Sequence, residues 1–477
     1  MKRSSSSPLP PVEPKRAFTS RKSTESFSNS KHQSNDQNTK HDTIDETTSG
    51  IVHIGCGNFH RSHQESYLNE LLATNFEENK SWLYTGISVL NQDSSLKEKL
   101  KKNNYKYHLI SLDEKGDANV EWVQSLKDFM VTDESLNACL DLLSSDDIKI
   151  VSLTITEFGY TVQLSETDVK IVSTILNNDS SFAINFDDKG VTAFGLIVIS
   201  LAIRYKRGMR PFTIMSCDNL LTNGDVCKNK CMNDLSSISK LCSRGDSFMQ
   251  WVQDEVCFPN SMVDRITPYI SDEEIVEIDK QYGIIDLSPV ICEKYKSWII
   301  EDSFVDNKRP RWEDVGSILT TDVKPYERMK LSLLNIHHSF VAYIGLKHDY
   351  TFVHEVVNDE SLLPDILEFL HDNIIPILLS TECGELTSSD YVGYANEVLE
   401  RFKNQHMKDR LARIATDGRN KFESQTLPLI IIGIENGFRM EKFRDFIDHW
   451  MLYDSSIKVD DALFDPIRAW LNDSAAN

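Results

Sequence analysis

The sequence predicts an α/β protein with a Rossmann-type, doubly wound N-terminal domain followed by a mainly α-helical C-terminal domain. Four apolar, strand-like runs alternate with amphipathic segments: "IVHIG", "SWLYTGISVL", "IKIVSLTIT" and "PFTIMSCDN". Such alternation is typical of βα units in a parallel sheet. Beyond "DVKPYERMKLSLLNIHHSFVAYIG" helical runs dominate, and Pro325 suits the first turn of a helix. We therefore predict a domain boundary near residue 322.

The 477 residues divide into a tail and two domains. Residues 1–48 are rich in Ser, Lys, Asn and Pro and contain few large apolar residues, so they cannot bury enough surface to offset their ordering entropy. We expect a disordered tail there, a dinucleotide-binding domain over residues 49–322 and a helical domain over residues 323–477. A transit peptide is the alternative for the tail, but it needs an amphipathic apolar face.

Composition excludes several classes of protein. A formal net charge of −22 disfavours nucleic acid partners, whose phosphates attract clustered Lys and Arg. No apolar run approaches the roughly 18 residues that span a bilayer, so we expect no membrane partner. Nine scattered cysteines without a secretory signal predict reduced thiols and a cytoplasmic location. Cys227, Cys231 and Cys242 lack the spacing and the nearby histidine of a zinc site, and we predict no metal.

The stretch "IVHIGCGNFHRSHQ" predicts a strand followed by a tight turn at Gly55 and Gly57. It resembles the first half of the G-x-G-x-x-G turn that binds dinucleotides, with His60 where the third glycine usually stands. The next predicted strand begins about 20 residues later, as in a dinucleotide fold. It ends near Asp93, where an acidic residue would hold the adenosine ribose, although Asp93 could simply cap the next helix.

The segment "KLSLLNIHH" places three polar side chains on a largely apolar helix. At 100° per residue, Lys330 and His338 lie about 80° apart and Asn335 and His338 about 60° apart, so all three can share one side. Burial disfavours a charged lysine, which would let Lys330 act as a base near neutral pH. The alternative is a surface lysine and a core histidine on an ordinary amphipathic helix.

Two further segments place polar residues beside predicted strands. Asp218 and Asn219 directly follow an apolar strand, at the end where doubly wound sheets bind ligands, although a helix N-cap explains them equally well. Asp264 and Arg265 lie between two prolines in "FPNSMVDRITP", where most such pairs are turn residues.

Taken in order, six motifs resemble the mannitol dehydrogenase family of polyol-specific long-chain dehydrogenases: "IVHIGCGNFHRSHQ", "VSLTITEFGY", "SCDNL", "FPNSMVDRITP", "WIIEDSF" and "PYERMKLSLLNIHHS". The resemblance runs from about residue 50 to near the C-terminus. The family pattern Lys-x4-Asn-x2-His falls on Lys330, Asn335 and His338. It implies that Lys330 is the general acid and base, and that Asn219 and Asn335 donate hydrogen bonds to the reacting oxygen, as in an oxyanion hole.

The resemblance also implies roles for four other side chains. His338 and Asp264 would hold neighbouring hydroxyls of the polyol, and Glu157 would relay the proton of the lysine towards water. Arg401 would contact the substrate from a segment resembling the family's R-F-x-N-P, in which Gln405 replaces the proline. No metal is required, because a base and hydrogen-bond donors replace the Lewis acid.

The family reads G-x-G-x-F-H-R at the glycine turn, which accounts for His60. The resemblance implies that the pyrophosphate of the cofactor lies on backbone amides there. The predicted cofactor-binding residues are Ile54, Gly55, Cys56, Gly57, Asn58, Phe59, His60, Arg61 and Asp93. We expect NAD in preference to NADP, because the nearest basic residue, Lys97, lies several positions into the following helix.

The implied reaction interconverts a polyol and a ketose, with D-mannitol and D-fructose as the leading pair. Fructuronate, tagaturonate and arabinitol oxidoreductases share the motifs and remain alternatives. A non-catalytic sugar-binding member would be expected to have lost Lys330 or Asn335, and both are present. The resemblance implies a monomer or a weak homo-oligomer.

Overall fold

A computed structural model describes residues 48–113, 115–178, 185–186, 188–381, 386–458 and 460–473. The predicted disordered tail lies outside the described residues, apart from Thr48.

Five of the described strands form one parallel sheet, in the order β5-β2-β1-β6-β7. Their bounds are β1 Ser49–Ile54, β2 Leu83–Ser88, β5 Leu126–Val131, β6 Ile150–Leu153 and β7 Thr213–Ser216. Every residue of β1, β2, β6 and β7 is buried, as expected for strands covered by helices on both faces. The doubly wound fold predicted from the alternating apolar runs is confirmed, and the four predicted strands are four neighbours in this sheet.

The order of the strands reverses beside β1. The chain runs from β1 to β2 on one side and then crosses to β6 on the other, so that β1 lies between β2 and β6. In open parallel sheets, ligands bind at the carboxyl ends of the strands at such a switch point. The Gly55 turn that follows β1 therefore lies at the expected ligand-binding edge.

Two smaller sheets flank the parallel one, in the orders β4-β3-β9 and β8-β10-β11. Their strands are β3 Tyr107–Leu112, β4 Ala118–Val123, β8 Ser261–Asp264, β9 Val290–Glu293, β10 Ser297–Glu301 and β11 Ile318–Thr320. The strand β8 ends at Asp264, so this sheet brings Asp264 to the same region as the residues that follow β7.

Helices cover the sheets of the N-terminal part. They are α1 Asn58–Ser62, α2 Gln64–Thr74, α3 Phe76–Asn79, α4 Ser94–Lys102, α5 Thr132–Leu143, α6 Thr156–Gly159, α7 Glu166–Asn177, α8 Ala193–Lys206, α9 Asn223–Ser239, α10 Gly245–Glu255 and α11 Asp272–Tyr282. Short 3₁₀ turns span Lys80–Trp82, Asn91–Asp93, Val305–Asn307 and Trp312–Val315.

From Lys324 onward the described chain is mainly helical. The helices are α12 Lys324–Lys330, α13 His337–Lys347, α14 Val353–Val357, α15 Leu363–Glu368, α16 Ile375–Ser380, α17 Ser388–Phe402, α18 Leu411–Ile414, α19 Gly418–Lys421, α20 Leu427–Glu435, α21 Glu441–Tyr453 and α22 Arg468–Asp473. Three π-helical segments span Leu331–Ile336, Phe369–Ile374 and Phe422–Thr426, and a 3₁₀ segment spans Ala462–Ile467. These helices enclose an apolar core of their own, which includes Phe340, Phe369 and Trp450.

The domain boundary near residue 322 stays a prediction. Among the described residues, none of the helices combines the length and the apolar character needed to cross a membrane.

We predict that Gly55→Ala destabilises the protein far more than Gly316→Ala. Both glycines have a left-handed backbone, with φ of +95° and +99°. A β-carbon on Gly55 would lie 2.1 Å from the carbonyl oxygen of Thr154, whereas one on Gly316 would meet no atom within 4 Å. Each change should cost about 1–3 kcal/mol of backbone strain, and the clash at Gly55 should add about 2 kcal/mol.

Urea unfolding of the two variants measures this difference. Equal losses of the free energy of unfolding would show that the approach of Thr154 does not constrain Gly55.

Candidate active site

A small pocket lies where the carboxyl ends of β7 and β8 meet the first helix of the C-terminal part. It is lined by Asp218, Asn219, Leu220, Leu221, Ser261, Met262, Val263, Glu327, Lys330, Leu331 and Asn335. Three of the four predicted catalytic residues, Lys330, Asn219 and Asn335, therefore share one pocket although they are far apart in the sequence.

Asp218 fixes the backbone at the end of β7. Its buried carboxyl group accepts hydrogen bonds from the Ile155 amide at 3.2 Å, the Thr156 amide at 2.8 Å and the Tyr160 hydroxyl at 2.7 Å. Burial raises the pKa of Asp218 to about 6, against the effect of these hydrogen bonds. The N-cap of α9 is Thr222, so Asn219 does not serve as the helix cap that the sequence allowed.

Lys330 is buried, and its Nζ donates a hydrogen bond to Oδ1 of Asn219 at 2.6 Å. Burial lowers the pKa of Lys330, and the positive charge of Arg401 acts in the same direction, while Asp264 and Glu327 oppose it. An amine in this environment gives up its proton more readily than a lysine in water. The role of Lys330 as the general acid and base stays a prediction.

A π-helical turn explains why Lys330 and Asn335 face the same pocket. In a regular α-helix, residues five apart point about 140° away from each other. Leu331–Ile336 is π-helical, and hydrogen bonding from i to i+5 places residues five apart nearly above one another. The extra residue in this turn brings Lys330 and Asn335 together at the pocket.

His338 lies in a neighbouring pocket rather than in that of Lys330. The neighbouring pocket is lined by Ile266, His338, Val353, His354, Arg401, Phe402, Asn404, Met407 and Asp409. The His338 ring stacks on Phe402 at 4.5 Å, and its Nε2 lies 3.4 Å from Oδ2 of Asp409. Burial lowers the pKa of His338 to about 4, so the neutral ring can exchange hydrogen bonds with an uncharged ligand.

Arg401 bridges two buried carboxylates. Its Nη1 and Nη2 donate to Asp264 at 2.8 and 2.9 Å, and its Nε and Nη2 donate to Glu293 at 2.9 and 2.8 Å. Tyr394 adds a hydrogen bond to Asp264 at 2.8 Å. Burial alone would raise the pKa of Asp264, but the charges of Arg401 and Lys330 and the hydrogen bonds from Arg401 and Tyr394 together outweigh it, and the pKa is lowered. Asp264 and Arg401, both predicted to bind substrate, are thus bonded to each other.

Glu157 is the fourth predicted catalytic residue. It lies exposed in α6 and is not among the residues that line the Lys330 pocket. Its charge adds to the rise that burial causes in the pKa of Asp218 and opposes the fall that burial causes in the pKa of Lys421, so it lies within electrostatic reach of both groups.

Glu327 is a pocket residue that the sequence reasoning missed. It precedes Lys330 by three positions, and its carboxylate accepts hydrogen bonds from the Thr222 amide at 3.1 Å. Burial raises the pKa of Glu327 to about 7, and Lys330 is close enough to act against this shift. The helical spacing of a glutamate one turn before the lysine was the available signal.

The glycine turn fits a dinucleotide through its backbone. A β-carbon on Gly57 would meet only the carbonyl oxygen of Gly55, at 3.9 Å, so open space lies beside this exposed backbone. Gly57 is the N-cap of α1, whose first amides lack intrahelical acceptors. Ile54 ends β1, and the partly exposed Asn58 and Phe59 begin α1. These residues can hold a pyrophosphate on main-chain donors.

Three side chains of this turn point into the protein. Cys56 and His60 are buried, and the His60 ring stacks on His53 at 3.4 Å. Arg61 is also buried and donates to Asn58 Oδ1 and to the Ser288 carbonyl, both at 2.7 Å. Because these side chains are buried, the three residues would contact the cofactor through their backbone. Their part in cofactor binding stays a prediction.

Asp93 lies in the turn that follows β2. Its Oδ2 accepts a hydrogen bond from the Ser88 hydroxyl at 2.5 Å. This contact ties the carboxylate to the last residue of β2, next to the glycine turn after β1. Contact of Asp93 with the adenosine ribose stays a prediction.

One group of possible metal ligands occurs among the described residues, and it lies away from Lys330. The ligand atoms of Cys56, His60 and Glu65 are within 4.8 Å of one another. Nε2 of His60 is 3.1 Å from Oε1 of Glu65, and Tyr107 donates to the other carboxyl oxygen at 2.8 Å. Burial raises the pKa of Glu65 to about 7, so a protonated Glu65 can donate to the His60 nitrogen.

The fold and the pocket define a two-domain dehydrogenase of the dinucleotide-binding class. Residues 49–314 match the family described as mannitol dehydrogenase Rossmann domain, and residues 322–476 match the mannitol dehydrogenase C-terminal domain. The chain belongs to the mannitol dehydrogenase family, which confirms the resemblance seen in the motifs.

Two curated relatives and one solved structure illustrate the match. Mannitol dehydrogenase 2 of Saccharomyces cerevisiae is 36% identical over 383 residues, 80% of this chain and 72% of the relative. D-mannonate oxidoreductase of Escherichia coli is 31% identical over 413 residues, 86% and 80% of the two chains. The structure of Pseudomonas fluorescens mannitol 2-dehydrogenase, a ternary complex with NAD and D-mannitol, has a TM-score of 0.73 and 34% identity, and the match covers 86% of this chain and 80% of that one.

We predict that Glu65→Gln reduces the pH dependence of stability between pH 4.5 and 7. The pKa of Glu65 is raised from 4.5 to about 7 in the folded protein, so the folded state keeps a proton that the unfolded chain releases. The stabilisation is complete below pH 4.5 and is lost as the pH rises towards 7, by about 3 kcal/mol. A glutamine at position 65 keeps an N–H donor for Nε2 of His60 at every pH.

Urea unfolding between pH 4.5 and 8 tests this, with the exposed Glu78→Gln as the matched control. If Glu65→Gln and wild type lost stability in parallel, Glu65 would not be protonated in the folded protein.

Proposed function

We propose that this chain is an NAD-dependent oxidoreductase that interconverts a polyol and a ketose, with D-mannitol and D-fructose as the leading pair. The observation that carries the proposal is the buried Lys330 amine, hydrogen-bonded to Asn219 beside Asn335 at the ligand-binding edge of the sheet. The solved relative from Pseudomonas fluorescens, a complex with NAD and D-mannitol, supports the choice of cofactor and substrate.

Lys330 performs the proton transfer. In polyol oxidation its neutral amine takes the hydroxyl proton, and in ketose reduction its ammonium group returns a proton to the carbonyl oxygen. The bound nicotinamide supplies the hydride acceptor or donor. Burial brings the lysine pKa towards the working pH, where both protonation states are accessible. Lys330 and the amide donors activate the reacting oxygen, so the proposed step uses no metal ion.

The two asparagines stabilise the charge that develops on the reacting oxygen. The carbonyl oxygen of Asn219 is held by Lys330, which leaves its amide NH₂ group to donate into the pocket. Asn335 reaches the same pocket through the π-helical turn. Two amide donors directed at this oxygen would favour the transition state over the ground state.

Glu327 and Glu157 are the two carboxylates proposed to exchange the lysine proton with water. Glu327 lines the same pocket as Lys330 and has a pKa of about 7, so it can release or accept a proton near neutral pH. Glu157 is exposed to solvent, beside Asp218. We therefore assign the first transfer from Lys330 to Glu327 and keep Glu157 as an outer group.

A neutral substrate fits the charges better than a uronate does. A carboxylate on the substrate would require a free cationic partner, and guanidinium groups bind carboxylates with pairs of N–H donors. Arg401 already makes four hydrogen bonds to Asp264 and Glu293, which leaves one of its five N–H groups. Hexuronate oxidation is the second candidate, favoured by the match to D-mannonate oxidoreductase.

We predict that Lys330→Ala lowers turnover by about 10²- to 10⁴-fold, because general acid–base catalysis is removed. The dissociation constant for NADH should change little, since the amine acts on the substrate oxygen. Steady-state kinetics and NADH titration measure the two effects. Lys324→Ala, which removes an exposed lysine from the same helix, is the matched control. More than a tenth of the wild-type turnover at neutral pH would remove Lys330 from this role.

We predict that fructose is reduced with a higher kcat/KM than fructuronate. The reason is the occupied guanidinium of Arg401, which already binds two carboxylates and offers little to a third. Initial rates with NADH and each ketose compare the two. A preference for fructuronate would establish the hexuronate alternative instead.

A further inference from the structure

The turn after β2 contains more charged groups than the single aspartate that the sequence indicated. In a dinucleotide fold, the carboxyl end of the second strand faces the adenosine ribose. In this chain that end is Ser88, followed by the turn Asn91–Asp93 and helix α4. The inference below rests on the proposed NAD-dependent function and concerns how this turn chooses its coenzyme.

Two acidic residues reach this turn from the neighbouring strand. Asp133 and Glu134 lie in the first turn of α5, directly after β5, which pairs with β2 in the sheet. Oδ2 of Asp133 accepts a hydrogen bond from the side-chain amide Nδ2 of Asn91 at 2.7 Å. Oε1 of Glu134 accepts one from the Ser94 hydroxyl at 2.5 Å. The start of α5 is thus bonded to the start of α4.

Glu134 also holds the nearest cation. Nζ of Lys97 donates to Oε2 of Glu134 at 2.6 Å, and the lysine side chain is only 18% exposed. Lys97 is the basic residue closest in sequence to Asp93, on the first turn of α4. Tied to α5, its ammonium group is directed to the carboxylate and is not free to pair with an anion at the end of β2.

We propose that Glu134 is a coenzyme-specificity residue: by holding Lys97 and adding its charge to those of Asp93 and Asp133, it disfavours NADP. The 2′-phosphate of NADP would meet three carboxylates, and the nearest lysine in the sequence, Lys97, is held by one of them. The 2′-hydroxyl of NAD needs only a hydrogen-bond acceptor, which Asp93 provides. Asp93 binds the hydroxyl, whereas Glu134 acts on the phosphate.

The first variant is Glu134→Gln, which keeps an acceptor for Ser94 but removes the charge that holds Lys97. We expect the dissociation constant for NADPH, measured by the fluorescence of the bound coenzyme, to fall about tenfold, as for one charge-assisted hydrogen bond. The constant for NADH should change by less than about twofold, and the gain for NADPH should shrink at high salt. An unchanged NADPH constant, or equal tightening of both coenzymes, would overturn the proposal.

Two more variants separate the effect of Lys97 from net charge. The double variant Lys97→Met with Glu134→Gln should lose most of the gain in NADPH affinity that Glu134→Gln alone produces. Retention of the full gain in affinity would contradict the role of Lys97. Asp272→Asn is the matched control, because it frees Lys99 of the same helix, bonded at 2.9 Å to an exposed aspartate on α11. An NADPH gain in this control equal to that of Glu134→Gln would also overturn the proposal.

Failure of this proposal can be distinguished from failure of the proposed function. Binding of NADH by wild type without any change of NADPH affinity in Glu134→Gln would overturn the role of Glu134 alone. Binding of neither coenzyme by wild type would overturn both.

Discussion

The hydrogen bond from Lys330 to Asn219 joins the two halves of the described chain at the pocket. Asn219 follows the last strand of the parallel sheet, and Lys330 ends the first helix of the C-terminal part. The backbone before Asn219 is fixed in turn, because the buried Asp218 accepts three hydrogen bonds from the segment after β6. The position of the proposed base therefore depends on how two neighbouring strands of the sheet end.

Buried charged side chains surround the hydrogen bond between Lys330 and Asn219. Arg401 is bonded to Asp264 and Glu293, and both Arg401 and Asp264 influence the pKa of Lys330. Removing one partner of a buried ion pair leaves an uncompensated charge, which costs several kcal/mol. Asp264, which is predicted to bind substrate, therefore also influences the pKa of the proposed base. A substitution of Asp264 would affect both substrate binding and the pKa of Lys330.

The sequence predicted the parallel strands, the glycine turn and the residues Lys330, Asn219 and Asn335, because apolar runs and short motifs are local signals. It did not predict the edge strand β5, whose polar residues interrupt the apolar pattern. It also assumed 100° per residue beyond Lys330, whereas the chain there is π-helical. Glu327 was missed because its burial depends on the Thr222 amide, a contact between residues 105 positions apart.

The hydrogen-bond partner of a lysine affects how readily the lysine gives up its proton and acts as a base. Lys97 and Lys442 are bonded to carboxylates, and the carboxylates around Lys442 raise its pKa despite partial burial. Lys330 is bonded to the neutral oxygen of an amide, which fixes its position but stabilises its charged form less than a carboxylate would. Burial therefore prevails and lowers its pKa. A carboxylate in place of Asn219 would favour the charged form of the lysine, so a neutral amide at this position is what the proposed proton transfer by Lys330 requires.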